Sequence, residues 1–162
     1  MSPTASGLGR ALWLALLLPA ALLGGAYIGQ YGFDLYPCEM CWWQRYPHFA
    51  ALAFALLALL LWRSGAARPL VIMAALSVVV SGLIGGFHAG VEYGWWDGLT
   101  ACTSPVKASG GNFLDALNDA PIIRCDSAPW DLFGISLAGW NFLLSVGGGL
   151  AILRLATAKA AI

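Results

Sequence analysis

The chain has 162 residues, 60% of them hydrophobic and only 10% charged. A soluble globular domain carries about a quarter charged residues, so a chain this short and apolar would leave much greasy surface in water, and insertion into a bilayer is the simpler reading. Lys+Arg and Asp+Glu are equal at 8 each. That balance is silent about nucleic acid, but there is no basic stripe, phosphate-binding glycine loop or internal repeat, so no nucleic-acid partner is expected.

The positions of the charges say more than their number. Residues 11–33, 46–62, 69–91 and 132–153 carry none. A bilayer core needs about 20 apolar residues per helix, and an unpaired backbone in lipid is too costly for other spanning forms in such a chain. The expectation is an all-α membrane protein, a four-transmembrane-helix bundle forming one domain over 1–162. The spans fall near 11–30, 42–62, 69–90 and 133–153. Arg10, Arg63, Arg68, Arg154 and Lys159 fall on one side, which the positive-inside rule makes cytoplasmic. Arg45, Lys107, Arg124 and every acidic residue fall on the other. The first run has a cleaved signal peptide as its alternative, but it is longer than the usual apolar core of one.

The outer loops are expected over 31–41 and 91–132. Within the second, 112–118 reads as a short amphipathic helix: Asn112 suits the N-cap, Asp115 the first turn, and Phe113, Leu114 and Leu117 share a face. It can lie on the membrane surface or pack on the loop itself. Tyr31, Tyr36, Trp42, Trp43, Tyr46, Tyr93, Trp95, Trp96 and Trp130 cluster at the outer boundary, as an interfacial belt would.

All 4 cysteines fall on that outer side. Cys38 and Cys41 form a C-x-x-C pair at the mouth of the second span, and Cys102 and Cys125 lie in the long loop. Two structural staples are one reading. C-x-x-C closes too small a ring to staple well and recurs where thiols and disulfides interchange, which favours redox chemistry. A zinc site would want tighter spacing in the second pair, so no metal is expected. Arg45, one helical turn after Cys41, can stabilise a thiolate there, donate to a ligand carbonyl, or simply anchor to headgroups. His88, at the outer end of the third span, is a candidate to bind or protonate an acceptor. His48 reads as interfacial, and Ser136 and Asn141 as bonding to neighbouring helices.

Taken in order, these residues resemble the disulfide bond formation protein B (DsbB) family. The matching pieces are Pro37-Cys38-Glu39-Met40-Cys41 with Arg45, then His88, Cys102 and Cys125, then Trp130-Asp131-Leu132-Phe133-Gly134. The resemblance covers nearly the whole chain. It implies a membrane thiol:quinone oxidoreductase of the bacterial inner membrane, with both termini cytoplasmic and the cysteines in the periplasm. It also implies a DsbA-like soluble thiol oxidase as partner and ubiquinone or menaquinone as acceptor. By resemblance Cys102 forms the mixed disulfide with the partner and Cys125 passes the exchange to Cys38. Cys41 then faces the quinone near Arg45, and His88 helps bind it. Four-helix enzymes of the vitamin K epoxide reductase kind place C-x-x-C late in the chain, whereas here it is early. No charged residue lies deep in a span, which leaves a transporter without support.

Overall fold

The computed structural model describes residues 7–100, 102 and 123–158. The expected helix over 112–118, together with Lys107 and Lys159, lies outside them. Helix α1 spans Gly7–Gly32 and helix α2 spans Glu39–Leu60. Helix α3 spans Ala67–Glu92 and helix α4 spans Leu137–Thr157. Among the described residues, 3 helices are long and apolar enough to cross a membrane: α1, α3 and α4. The remaining helix, α2, has 22 residues and concentrates Glu39, Gln44, Arg45, Pro47 and His48 in its N-terminal half.

Small residues let the helices approach closely. The core joins Ala11, Leu12 and Ala15 of α1 to Ala51, Ala55 and Ala58 of α2; Val71, Ala74, Ala75 and Val78 of α3 and Ile152 and Ala156 of α4 complete it. Alanine-rich seams of this kind suit helix pairs in lipid, where close van der Waals packing replaces the hydrophobic drive. Gly85 leaves no room for a side chain among the polar groups of the bundle. A Cβ there would sit 2.9 Å from the Ala138 carbonyl oxygen and 3.0 Å from both Asn141 Nδ2 and Gln44 Oε1. Leu17, Leu56, Leu60, Leu83, Leu143 and Leu150 turn outward on all four helices.

The start of the last helix differs from the expected 133. Strands β1 (Asp131–Leu132) and β2 (Ile135–Ser136) form a two-stranded antiparallel hairpin. Its two turn residues, Phe133 (φ 56°) and Gly134 (φ 76°), are both left-handed, which a two-residue hairpin turn of the primed type requires. Asp131 Oδ2 accepts from the Gly134 N–H at 3.1 Å. The uncharged run hides this element, because absence of charge marks apolarity and not helix. Ser136 then caps α4, its Oγ accepting from the Gly139 N–H at 3.1 Å.

Candidate active site

Cys38 is the N-cap of α2, and its sulfur accepts from the Cys41 N–H at 3.2 Å. One helical turn therefore brings the two thiols together: Cys38 Sγ donates to Cys41 Sγ at 2.8 Å. Both are free thiols, Cys38 buried and Cys41 half-buried. The hydrogen bond to Cys41, reinforced by burial, pushes the Cys38 thiol far above the ordinary thiol range. Cys38 thus holds the shared proton, and Cys41 is the accepting sulfur.

Cys102 and Cys125 are joined in a disulfide. Thr100 Oγ1 lies 2.9 Å from Cys102 Sγ and donates to Cys125 Sγ at 3.6 Å. Cys125 is fully buried against Cys38, Met40 and Val91. The sulfurs of Cys38 and Cys125 and a ring nitrogen of His88 all lie within 4.8 Å of one another. This is ligand spacing for a metal, but a sulfur committed to a disulfide lacks the thiolate that metal binding needs. It is also the spacing from which a thiol and a disulfide exchange.

Two cavities flank the pair. The larger, about 620 Å³, runs between α1, α2 and α4 and is mostly apolar; Cys41, Gln44, Arg45, His48, His88, Glu92 and Asn141 form its polar wall. The smaller, about 350 Å³, is bordered by Asp34, Cys38, Ile123, Arg124 and Ser127. Cys41, His88 and Glu92 border both. The inner thiol pair thus stands between an apolar chamber and the segment that carries the second pair.

A family model for the disulfide bond formation protein DsbB matches residues 9–155. The chain belongs to the DsbB family. Two curated relatives agree in extent. An uncharacterized protein of Rickettsia prowazekii (strain Madrid E) is 25% identical over 128 residues, covering 76% of this chain and 73% of that one. The disulfide bond formation protein B of Hahella chejuensis (strain KCTC 2396) is 26% identical over 148 residues, covering 83% and 85%. No solved structure matches the chain. Membership in the DsbB family makes this a disulfide bond formation protein, and its apolar helices fit a multi-pass protein of the bacterial inner membrane.

In this DsbB-family chain Arg45 is neither exposed nor snorkelling. Its guanidinium lies over the rings of Tyr27 and Trp42, 4.8 and 4.9 Å from their centroids. It donates to Gln30 Oε1 at 2.7 Å and to the Ala26 carbonyl at 3.4 Å. These contacts tie α2 to α1 and fix the planar cation in the cavity wall. His88 is 2% exposed. Its Nε2 lies 3.6 Å from Cys38 Sγ and 3.6 Å from Glu92 Oε1, while Nδ1 lies 2.9 Å from Gln44 Nε2.

Three further polar residues belong to the cavity wall. His48, expected at the interface, is buried, with Nε2 3.0 Å from Asn141 Oδ1. Asn141 bonds neighbouring helices as expected, donating to Gln44 Oε1 at 2.9 Å and to the Ser81 carbonyl at 3.2 Å. Gln44 had no assigned role, yet it links His88 to Asn141. The available signal was spacing: Gln44 and His48 are i and i+4 on α2 and share one face. Glu92, one of the acidic residues expected on the outer side, closes this wall. Its side chain is 3% exposed, and its Oε2 has no hydrogen-bond partner among the described residues.

Proposed function

We propose that the protein is a membrane thiol:quinone oxidoreductase that re-oxidises a periplasmic DsbA-type disulfide donor and passes two electrons to a membrane quinone. The observation that carries this reading is a juxtaposition. The Cys102–Cys125 disulfide, the Cys38–Cys41 dithiol and an apolar chamber of about 620 Å³ meet at one point.

The chamber fits a quinone on its own chemistry. Its volume lies in the range of small-molecule sites, and its wall is mostly apolar with a few convergent polar groups. The N–H groups of Arg45 and His88 suit a carbonyl oxygen. When bound, a quinone supplies an acceptor for two electrons and two protons.

The chain's residues do the rest. A thiolate of the reduced partner attacks Cys102, breaking its bond to Cys125. The partner's second thiol then releases Cys102 and closes the partner's disulfide. The Cys125 thiolate attacks Cys38 of a Cys38–Cys41 disulfide, and Cys41 leaves as a thiolate. Cys102 resolves the Cys38–Cys125 bond, which restores Cys102–Cys125 and leaves Cys38 and Cys41 as a dithiol. Re-forming the Cys38–Cys41 disulfide gives up two electrons and two protons on the chamber side. A DsbA-type partner is strongly oxidising, at about −120 mV, so the terminal acceptor has to be stronger still.

Topologically, we place α2 in the membrane as a fourth span. Its 22 residues reach about 33 Å at 1.5 Å per residue. Tyr46, Phe49, Leu56, Leu57 and Leu60 on its outer face are exposed. Both termini are then cytoplasmic and the cysteines periplasmic. The direct test is quinone reduction by membranes containing this protein, with a reduced DsbA-type thiol oxidase as donor. Reduction that needs both protein and donor, and is lost in Cys41→Ser, supports the reading. Normal rates in Cys41→Ser would overturn it.

A further inference from the structure

The hydrogen bonds that cross the bundle have a direction, and it can be read from two backbone carbonyls. Gln44 Nε2 donates to the Met40 carbonyl at 3.2 Å, and Asn141 Nδ2 donates to the Ser81 carbonyl at 3.2 Å. A carbonyl only accepts, so both amide nitrogens are fixed, and so are the amide oxygens opposite them. Asn141 Oδ1 therefore faces His48, whose Nε2, at 3.0 Å, must carry the ring proton. Ser145 Oγ donates to the same oxygen at 2.8 Å. In the neutral ring Nδ1 is then a bare acceptor. It is buried with no hydrogen-bond partner among the described residues, on a side chain only 3% exposed that forms part of the large chamber's wall.

We propose that His48 is a ligand-binding residue of this chamber, its Nδ1 accepting a hydrogen bond from a hydroxyl of the reduced, dihydroxy-aromatic form of the electron acceptor. The inference rests on the function proposed above and adds a preference between redox forms. An oxidised quinone offers only carbonyl oxygens, which meet the Nδ1 lone pair with another lone pair. The reduced form offers O–H donors, and one of them satisfies an acceptor that is otherwise desolvated without a partner. His48 lies three residues beyond Arg45 on α2, about one turn deeper. Arg45 thus borders the chamber at its outer end and the ring of His48 borders it below. Tighter binding of the reduced form makes the bound acceptor a stronger oxidant: a tenfold preference is worth about 30 mV for a two-electron couple. The chamber would draw electrons from the inner thiols at the expense of slower product release.

The test is steady-state turnover of the full-length protein in membranes, with a short-chain ubiquinone analogue as acceptor and its reduced form as product inhibitor. For His48→Phe the inhibition constant of the reduced form should rise about tenfold, equivalent to about 1.4 kcal/mol, while KM for the oxidised form stays within about twofold. His48→Gln keeps both a donor for Asn141 and an acceptor for ligand, and should retain most of the wild-type ratio of the two constants. The ratio is internal to each preparation, so loss of folded protein does not move it. A ratio unchanged in His48→Phe, whether the constants rise together or stay put, would overturn the proposal. If wild-type membranes reduce no quinone at all, the proposed reaction fails first and His48's role falls with it.

Discussion

Nε2 of His88 lies 3.6 Å from the sulfur of Cys38, although the two residues are 50 positions apart. Gln44 holds the ring's other nitrogen by donating to Nδ1 at 2.9 Å. Gln44 Nε2 can only donate, so Nδ1 accepts and the neutral ring carries its proton on Nε2, toward Cys38 and Glu92. Replacing His88 with alanine should lower quinone reduction about 100-fold, the scale of a lost acid–base group. Oxidation of the soluble donor by the Cys102–Cys125 disulfide should persist for a single turnover. Stopped-flow measurement of both half-reactions separates the two, and equal losses in both would remove His88 from the inner step.

The inner thiols should differ in reactivity. Cys38 is buried and keeps its proton through its hydrogen bond to Cys41. The thiolate is the reactive form. A folded-state pKa held above the ordinary thiol value keeps Cys38 protonated as pH rises through the range where a free cysteine ionises. With the inner pair reduced, iodoacetamide should label Cys41 first, and raising pH from 7 to about 9 should leave Cys38 slow. Peptide mass spectrometry reads the order directly, and Cys38 labelling ahead of Cys41 would refute it.

Arg45→Lys should behave as a disruptive change. Lysine keeps the charge but loses the planar fork and its stacking on Tyr27 and Trp42. Loss of a partly desolvated stack costs about 1–2 kcal/mol, so KM for quinone should rise about tenfold with thiol exchange at Cys102–Cys125 intact. An unchanged KM would show that Arg45 serves helix packing alone.

Packing of α3 on α4 should fail at Gly85 and tolerate change at Gly25. Alanine at 85 meets the Ala138 carbonyl and the Gln44–Asn141 bond, whereas a Cβ at Gly25 meets nothing within 4 Å. Gly85→Ala should destabilise by about 1–3 kcal/mol through overpacking. Gly25→Ala should be neutral or stabilising by about 0.5–1 kcal/mol, because alanine is the better helix former. Thermal unfolding in detergent distinguishes them, and equal midpoints would contradict the packing argument.

Much of the architecture could be read along the chain because its signals are local. Uncharged runs marked the helices, and cysteine spacing separated two unlike pairs. The hairpin at 131–136 escaped that reading: its apolar residues satisfy the same count as a span, and only the paired left-handed turn at Phe133 and Gly134 reveals it.

What the sequence by itself determined is composition on each helix and which residues could do redox chemistry. Tertiary structure alone decided which of them meet. Cys125 comes within 4.8 Å of Cys38 from 87 positions away, by a path no periodicity records. His48 looked interfacial because a polar residue near a span end has two possible faces. Its burial depends on Asn141 arriving from α4 to accept its proton. Hydrogen-bond direction is likewise a property of the assembled bundle. It is set by the carbonyls of Met40 and Ser81 on two different helices, which can only accept.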